Sequence, residues 1–322
     1  MSTIVEESYR SIIDILLGNG WGKSRRDSVN LVIKELKKIF GNTSLKSVND
    51  FLKGREMNNL PYNREENPYI FPLSLAILNH IDIRIIKFLI ESDRSILNYD
   101  KGALFTPIQL LFQHMNEDEM VIGIVYKLFF KHHHEHFMND VFFHWFKACL
   151  ILLVKSGGNI DIEDKTVSNV KGATILNEWM VSPDILRDPE MYGGRGDDYS
   201  PDFEPDQFDR LRYKQIWDIF VKYANLGIVK YVDGERIGNA FDIARNFRGQ
   251  VNDDAMEIIQ EAYISYGKRK LMAQKVLSKR VDEGVERTIM SYLPYEGYRG
   301  GRHKTKKMIL KRKHRKTYKK WQ

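Results

Sequence analysis

Residues 71–112 read FPLSLAILNHIDIRIIKFLIESDRSILNYDKGALFTPIQLLF, and this stretch decides the fold. It opens with Phe71-Pro72-Leu73-Ser74-Leu75-Ala76-Ile77 and closes with Thr106-Pro107-Ile108-Gln109-Leu110-Leu111-Phe112, two segments that align without a gap at a spacing of 35 residues. Proline in a first helical turn forfeits no hydrogen bond and presets φ, so Pro72 and Pro107 predict helix starts, with Thr106 as an N-cap. Between them Ile81, Ile85, Ile86, Leu89 and Ile90 recur at helical spacing and form one apolar stripe. A helix of this kind cannot hide its stripe alone and must pack on a neighbour. Asn98, Asp100 and Gly102 then supply the turn that reverses the chain.

The same start recurs downstream. Thr174, in Gly172-Ala173-Thr174-Ile175-Leu176-Asn177, lies 68 residues after Thr106, and Gly238, which opens Gly238-Asn239-Ala240-Phe241-Asp242-Ile243-Ala244-Arg245, lies 66 after Gly172. Both intervals are close to two periods of about 33 residues, the ankyrin period. The stretch 71–112 resembles an ankyrin repeat followed by the start of the next. ILLVKSGGNIDIEDK (151–165) is similar to a second helix running into an ankyrin loop, and GNAFDIARN (238–246) to the start of a late repeat. The resemblance spans residues 68–267 and is carried most by 68–115. Ser74 and Gln109 stand where the family has His, and Phe71 where it has Thr, which predicts weaker turn-stabilising hydrogen bonds and an uneven array.

The fold class expected is therefore all-α, an ankyrin-like helical repeat solenoid with helical caps, a long acidic loop insertion and a disordered basic tail. Residues 1–60 predict two or three helices, for instance Tyr9 to Leu17 and Ser28 to Phe40, that cap one end of a repeat array over 61–267. Asp253 to Tyr266 and Leu271 to Met290 predict further helices, with 268–298 as the second cap. Inside the array, Ser182 to Asp209 carries Pro183, Pro189, Pro201 and Pro205 and nine acidic residues against two basic ones, which predicts a long exposed loop.

Charge separates the chain into two parts. Twelve Lys and Arg fall between Arg299 and Lys320 with no acid after Glu296, so of the formal charge of +7, subtracting 12 leaves −5 on residues 1–298. Cys149 is the sole cysteine, which excludes an intrachain disulfide and suits a reducing compartment. The longest fully apolar run, Ala148 to Val154, has seven residues, against the roughly 20 that a membrane-spanning helix needs. The start of the chain, with Glu6 and Glu7, lacks the basic and apolar pattern of a signal peptide. An intracellular protein without a transmembrane segment is expected.

Motifs that would carry chemistry are weak. His132-His133-His134-Glu135-His136 matches H-x-x-E-H, in which His132 and His136 would hold zinc and Glu135 act as base. A run of histidines satisfies many patterns and no second motif supplies a third ligand. The plainer reading is a polar end to a helix over Glu117 to Phe130, where positive charge suits the dipole. Gly18-Asn19-Gly20-Trp21-Gly22-Lys23-Ser24 ends like a phosphate-binding loop, but Leu17 stands where that loop needs Gly, so a helix C-cap and turn is expected. Arg195-Gly196-Asp197 is read as chance. Cys149 should be buried and inert. Trp145 with Phe142, Phe143 and Phe146, and Trp179 with Leu176 and Met180, read as core. No enzyme, no cofactor and no small-molecule substrate are expected.

By resemblance, the loops joining ankyrin repeats and the exposed side of the first helices form a concave recognition face. The matching tip positions are Tyr99, Asp100 and Lys101, then Ile162, Glu163, Asp164 and Lys165, then Tyr231, Asp233, Glu235 and Arg236. Their mixed charge and tyrosines suit a protein surface. The tail, GYRGGRHKTKKMILKRKHRKTYKKWQ, offers Arg302, Lys304, Lys306, Lys307, Lys311, Arg312, Lys313, Arg315, Lys316, Lys319 and Lys320 to a polyanion. Three uses fit it: a nuclear import signal in Lys311 to Lys316, nucleic-acid binding, or docking to an acidic surface. Such tails after a Gly-Gly joint resemble those of large DNA virus proteins, and degenerate ankyrin repeats with such a tail resemble the ankyrin-repeat proteins of those viruses. That resemblance implies a host protein as partner, in cytoplasm or nucleus, or packaging in a virion, and no F-box pattern is evident at the C-terminus.

Overall fold

The structure is a computed structural model that describes residues 2–18, 29–55, 69–99, 105–112, 136–163, 169–181, 210–246 and 253–280, with side chains except at 2, 136–141 and 274–280. Eleven helices occur in the described residues: α1 (Ser2–Gly18), α2 (Val29–Asn42), α3 (Leu45–Lys53), α4 (Pro72–Leu78), α5 (Ile83–Ser92), α6 (Pro107–Phe112), α7 (His136–Lys155), α8 (Ile175–Glu178), α9 (Arg210–Tyr223), α10 (Ala240–Asn246) and α11 (Asp253–Arg280). The strands are β1 (Val170–Lys171), β2 (Lys230–Val232) and β3 (Glu235–Gly238), an antiparallel sheet in the order β1-β2-β3. The chain is thus mostly helical, and the expectation of an all-α fold is corrected by this sheet. Its cause is local. Asp233 and Gly234 both take positive φ, 52° and 83°, the pair of conformations that closes a two-residue hairpin with the twist of its strands.

Helices associate in pairs, α4 with α5, α6 with α7 and α10 with α11. The first members of the pairs adjoin one another, α1 on α4, α4 on α6 and α8 on α10, while the longer second members form a separate row in which α5 touches α7, α7 touches α9, and α9 touches α11. Helices α2 and α3 extend that second row against α5. The stripe predicted in 81–90 faces inward: Ile85, Ile86, Leu89 and Ile90 are buried, each worth about 1.5–3 kcal/mol of transfer energy. One apolar cluster runs unbroken from Tyr9 to Ala262.

The short first helices recur with the same cap chemistry. At Thr106 and Gln109 the exchange is reciprocal: the Gln109 Oε1 accepts from the Thr106 amide at 2.9 Å, while the Gln109 amide donates to Thr106 Oγ1 at 3.3 Å. Asn239 and Asp242 repeat it, with amide-to-side-chain bonds of 3.2 Å and 3.0 Å, and Thr174 Oγ1 accepts from the Asn177 amide at 3.4 Å. The expected weakening of these bonds therefore does not hold at Gln109, whose amide reaches the backbone much as a capping-box Gln does. It does hold at Phe71, which has no side-chain cap bond.

The second helices end in a repeated turn. Side-chain oxygens of Asp93, Asn159 and Asn225 accept from the amide two residues on, in Ser95, Asp161 and Gly227, at 2.9, 3.0 and 3.0 Å. These turns bond to one another from pair to pair. Asn98 donates to the Gly157 carbonyl at 2.9 Å and accepts from the Asn159 amide at 2.6 Å, and the Asp161 carboxylate accepts from the Asn225 amide at 2.9 Å. The turns at 98, 157–161 and 225 thus adjoin one another; between Thr106 and Thr174 the described helices are α6 and α7, between Thr174 and Asn239 they are α8 and α9, and residues 113–135 and 182–209 of these intervals lie outside the described residues.

Two further expectations change. Asp253 to Tyr266 and Leu271 onward form one helix, α11, continuous through Gly267, where an added Cβ would meet open space. The first helices were expected to expose a side, yet α4 is buried from Pro72 to Ile77 and α6 throughout. Enclosed by α1, α5 and α6 in the one case and by α4 and α7 in the other, these two helices have no outer face to offer.

Candidate interaction surface

The sheet is built at the bases of α8 and α10. Gly172 holds φ of 71°, and a Cβ there would overlap the Val229 carbonyl, so only glycine lets the end of β1 meet the chain entering β2. Gly238, at φ of 128°, leaves the room that Asp242 uses to reach back to the Asn239 amide. The hairpin is tied down at its tip and at its base. The Asp233 amide donates to the Asn169 carbonyl at 3.0 Å and Asn169 Nδ2 donates to Asp233 Oδ1 at 2.8 Å, while Lys230 Nζ meets Glu178 at 2.7 Å.

Register sets which side chains share a face. Lys171 pairs with Tyr231, and Tyr231 with Arg236, so a row of cation, tyrosine and cation crosses all three strands. Val170, Val232 and Glu235 form the adjacent row. Lys171 and Arg236 are exposed and Tyr231 is half-buried. Arg236 Nη2 lies 3.5 Å from Asp242, a half-exposed ion pair of small energetic weight. Beside the row, Ile237 is 38% exposed, a large apolar side chain on an edge strand.

Of the predicted tip residues, the structure brings Tyr231, Asp233, Glu235 and Arg236 together on this hairpin and places Glu163 in a bridge to Thr174. Tyr99 is half-buried, its ring edge-on against Phe71 at 5.5 Å with Lys53 Nζ 5.6 Å from its centroid. Ile162 is half-buried. Asp100, Lys101, Asp164 and Lys165 lie outside the described residues, as do His132 and the tail residues from Arg302 to Lys320. Sequence reading missed Lys171, Asn169 and Ile237. Asp-Gly between β-formers was the signal for the hairpin that carries Ile237, whereas Lys171 joins it only through the pairing of β1 with β2.

The residues weighed for chemistry can be placed only in part, since His132 to Glu135 lie outside the described residues. His136 opens α7, so it sits at a helix N-terminus and the favourable dipole argued for a C-terminal end does not apply to it. No group of three metal-ligating side chains occurs among the described residues. Cys149 is buried in α7, which pushes its thiol well above its ordinary pKa. Phe143 and Phe146 are core, whereas Phe142 and Trp145 are half-buried around the His80 ring at 4.8 and 4.9 Å. Among the described residues no helix is long and apolar enough to cross a membrane. Burial pushes the Asp161 carboxyl up to about 6, against the lowering effect of the Asn225 amide. Asp93 moves the other way: burial raises it, but Asn49, the Ser95 amide and hydroxyl, and Lys53 together hold it below the ordinary carboxylate range.

No protein-family model, curated protein or solved structure matches the chain.

Proposed function

We propose that this chain is a protein-interaction scaffold in which ankyrin-like helix pairs form a solenoid that presents the three-stranded sheet to another protein. The observation that carries this reading is the row Lys171, Tyr231, Arg236 with Ile237 beside it. Tyrosine and arginine are enriched where proteins bind, and both hold their position here through strand pairing rather than through a loop, which lowers the entropy lost on docking. The pair-to-pair bonding of the turns at Asn98, Asn159 and Asn225 supports the repeat reading. A capping role for α1, α2 and α3 agrees with their position against α4 and α5.

A second reading, favoured by twelve basic residues between Arg299 and Lys320, is a nucleic-acid-binding or virion-packaging protein that acts through its tail. Two variants of the chain separate these. Replacing the row by Lys171→Glu, Tyr231→Ala and Arg236→Glu abolishes capture of the partner protein, while truncation after Tyr298 leaves it intact. The reverse pattern would establish the tail as the binding element and leave the sheet without a role.

A further inference from the structure

Charge is divided between the two rows of helices. The second-row helices α2, α5, α7 and α9 carry three, two, two and four Lys and Arg against one Asp or Glu each, a net of +7. Residues 1–298 as a whole hold −5, so subtracting 7 leaves −12 for the rest of that stretch. The first-row helices α4 and α6 contain no charged residue. An acidic body thus gathers cations on one row, whose inner side is core and whose outer side meets solvent.

Some of these cations meet acids: Arg84 pairs with Asp82, Lys87 with Glu91, and Arg210 and Lys214 with acids of α11. Others are held by neutral groups. Lys37 lies 5.9 Å from the Phe88 ring centroid, Lys147 Nζ donates to Gln215 Oε1 at 2.6 Å, and Lys222 lies 5.2 Å from the Tyr223 centroid. Such contacts orient an ammonium without cancelling its charge. Lys34, Lys38, Lys155 and Lys222 are exposed, and Lys34 and Lys38 stand one turn apart on α2.

Packed helices lie about 8–10 Å apart, so the three intervals from α2 to α9 make a face about 24–30 Å wide. Duplex DNA carries one charge per about 1.7 Å, hence about 14–18 phosphates over that width. A bilayer surface would require an apolar side to sink into the headgroup boundary. Among the described residues, the large apolar side chains exposed on these four helices are Leu31 and Leu211, at opposite ends of the row. Protein interfaces are depleted of lysine at their centre. Lysines spread over several helices without an apolar centre suit phosphates instead.

We propose that the outer face of α2, α5, α7 and α9 is a phosphate-contacting surface for duplex nucleic acid, with Lys34, Lys38, Lys155 and Lys222 as its principal contacts. It lies on the helical body, distinct from the tail, and stands whether or not the sheet binds a protein. The test is titration of the full chain with a short DNA duplex of arbitrary sequence over a range of salt. Wild type is compared with Lys34→Gln/Lys38→Gln/Lys155→Gln/Lys222→Gln and with Arg10→Gln/Lys171→Gln/Arg236→Gln/Arg245→Gln, which removes the same charge from α1, the sheet and α10. Loss of four phosphate contacts makes the slope of log K against log salt shallower by about 3 to 4, and weakens binding by about tenfold or more at low salt, while the second variant keeps the wild-type slope. Lys→Arg at the same four positions should bind as wild type does. If circular dichroism shows the first Gln variant misfolded, Lys155→Gln/Lys222→Gln is read for a slope change of about 2. An unchanged slope in the first variant, an equal change in the second, absence of duplex binding by wild type, or loss of adsorption to phosphatidylserine vesicles with duplex binding intact would each overturn the proposal.

Discussion

Two aspartates in equivalent turns answer pH in opposite directions. Asp93 is depressed by its donors, so its contribution to stability is present above the unfolded carboxylate range and is lost as pH falls through the folded value. Asp161 is raised to about 6, so its ionisation costs stability that begins to be lost as pH climbs through the unfolded value and is fully lost above the folded one. Asp161→Asn keeps an acceptor for the Asn225 amide and removes the charge. Melting curves should therefore show it more stable than wild type by about 2 kcal/mol at pH 7 and equal to it at pH 4; a variant less stable at pH 7 would contradict the burial argument. Thr106→Ala, which removes one side of the reciprocal cap with Gln109, should cost about 1 kcal/mol in denaturant unfolding, and Gln109→Ala a similar amount. The helix start at 107 was legible because Thr106 and Pro107 announce it. That Gln109 could take over the cap was not, since reach and rotamer are not written in residue type.

At the scale of elements, α4, α5 and α6 were legible because proline starts and an isoleucine stripe specify helix type, phase and beginning at once. The sheet was not: β1 has two residues and no periodicity to read, and its partner strands lie sixty residues downstream. Even so, the hairpin rests on a local signal in Asp233 and Gly234, and the glycine at the other edge is as demanding. Gly172→Ala places a side chain against the Val229 carbonyl in a left-handed backbone, and should cost about 1–3 kcal/mol while lowering any binding at the sheet. Stability unchanged in that variant would show that β1 can leave β2 without consequence. The candidate surface was half legible for the same reason. Tyr231 and Arg236 lie in one predicted tip, whereas Lys171 joins them only through strand register. Continuity of α11 also escaped the sequence, because a single Gly inside a helix costs only about 1 kcal/mol and need not end it.

Across the whole molecule, coherence comes from side chains that touch several pairs. The Phe112 ring at the end of α6 lies 5.1 Å from Phe146 of α7, 6.2 Å from Trp179 just past α8, and 5.9 Å from Phe220 of α9. Phe112→Ala should therefore destabilise by about 3–5 kcal/mol and broaden the unfolding transition, as pairs on either side lose their common packing. A loss below about 1 kcal/mol would mean that the pairs are joined elsewhere. The account as a whole holds that a continuous helical interior serves to hold one small sheet in place for a protein partner. Amide hydrogen exchange of the full chain, alone and saturated with its captured partner, reads this directly. Slowed exchange at 169–171 and 230–238 is the predicted result; protection restricted to the outer faces of α2 and α5, or to 299–322, would contradict it.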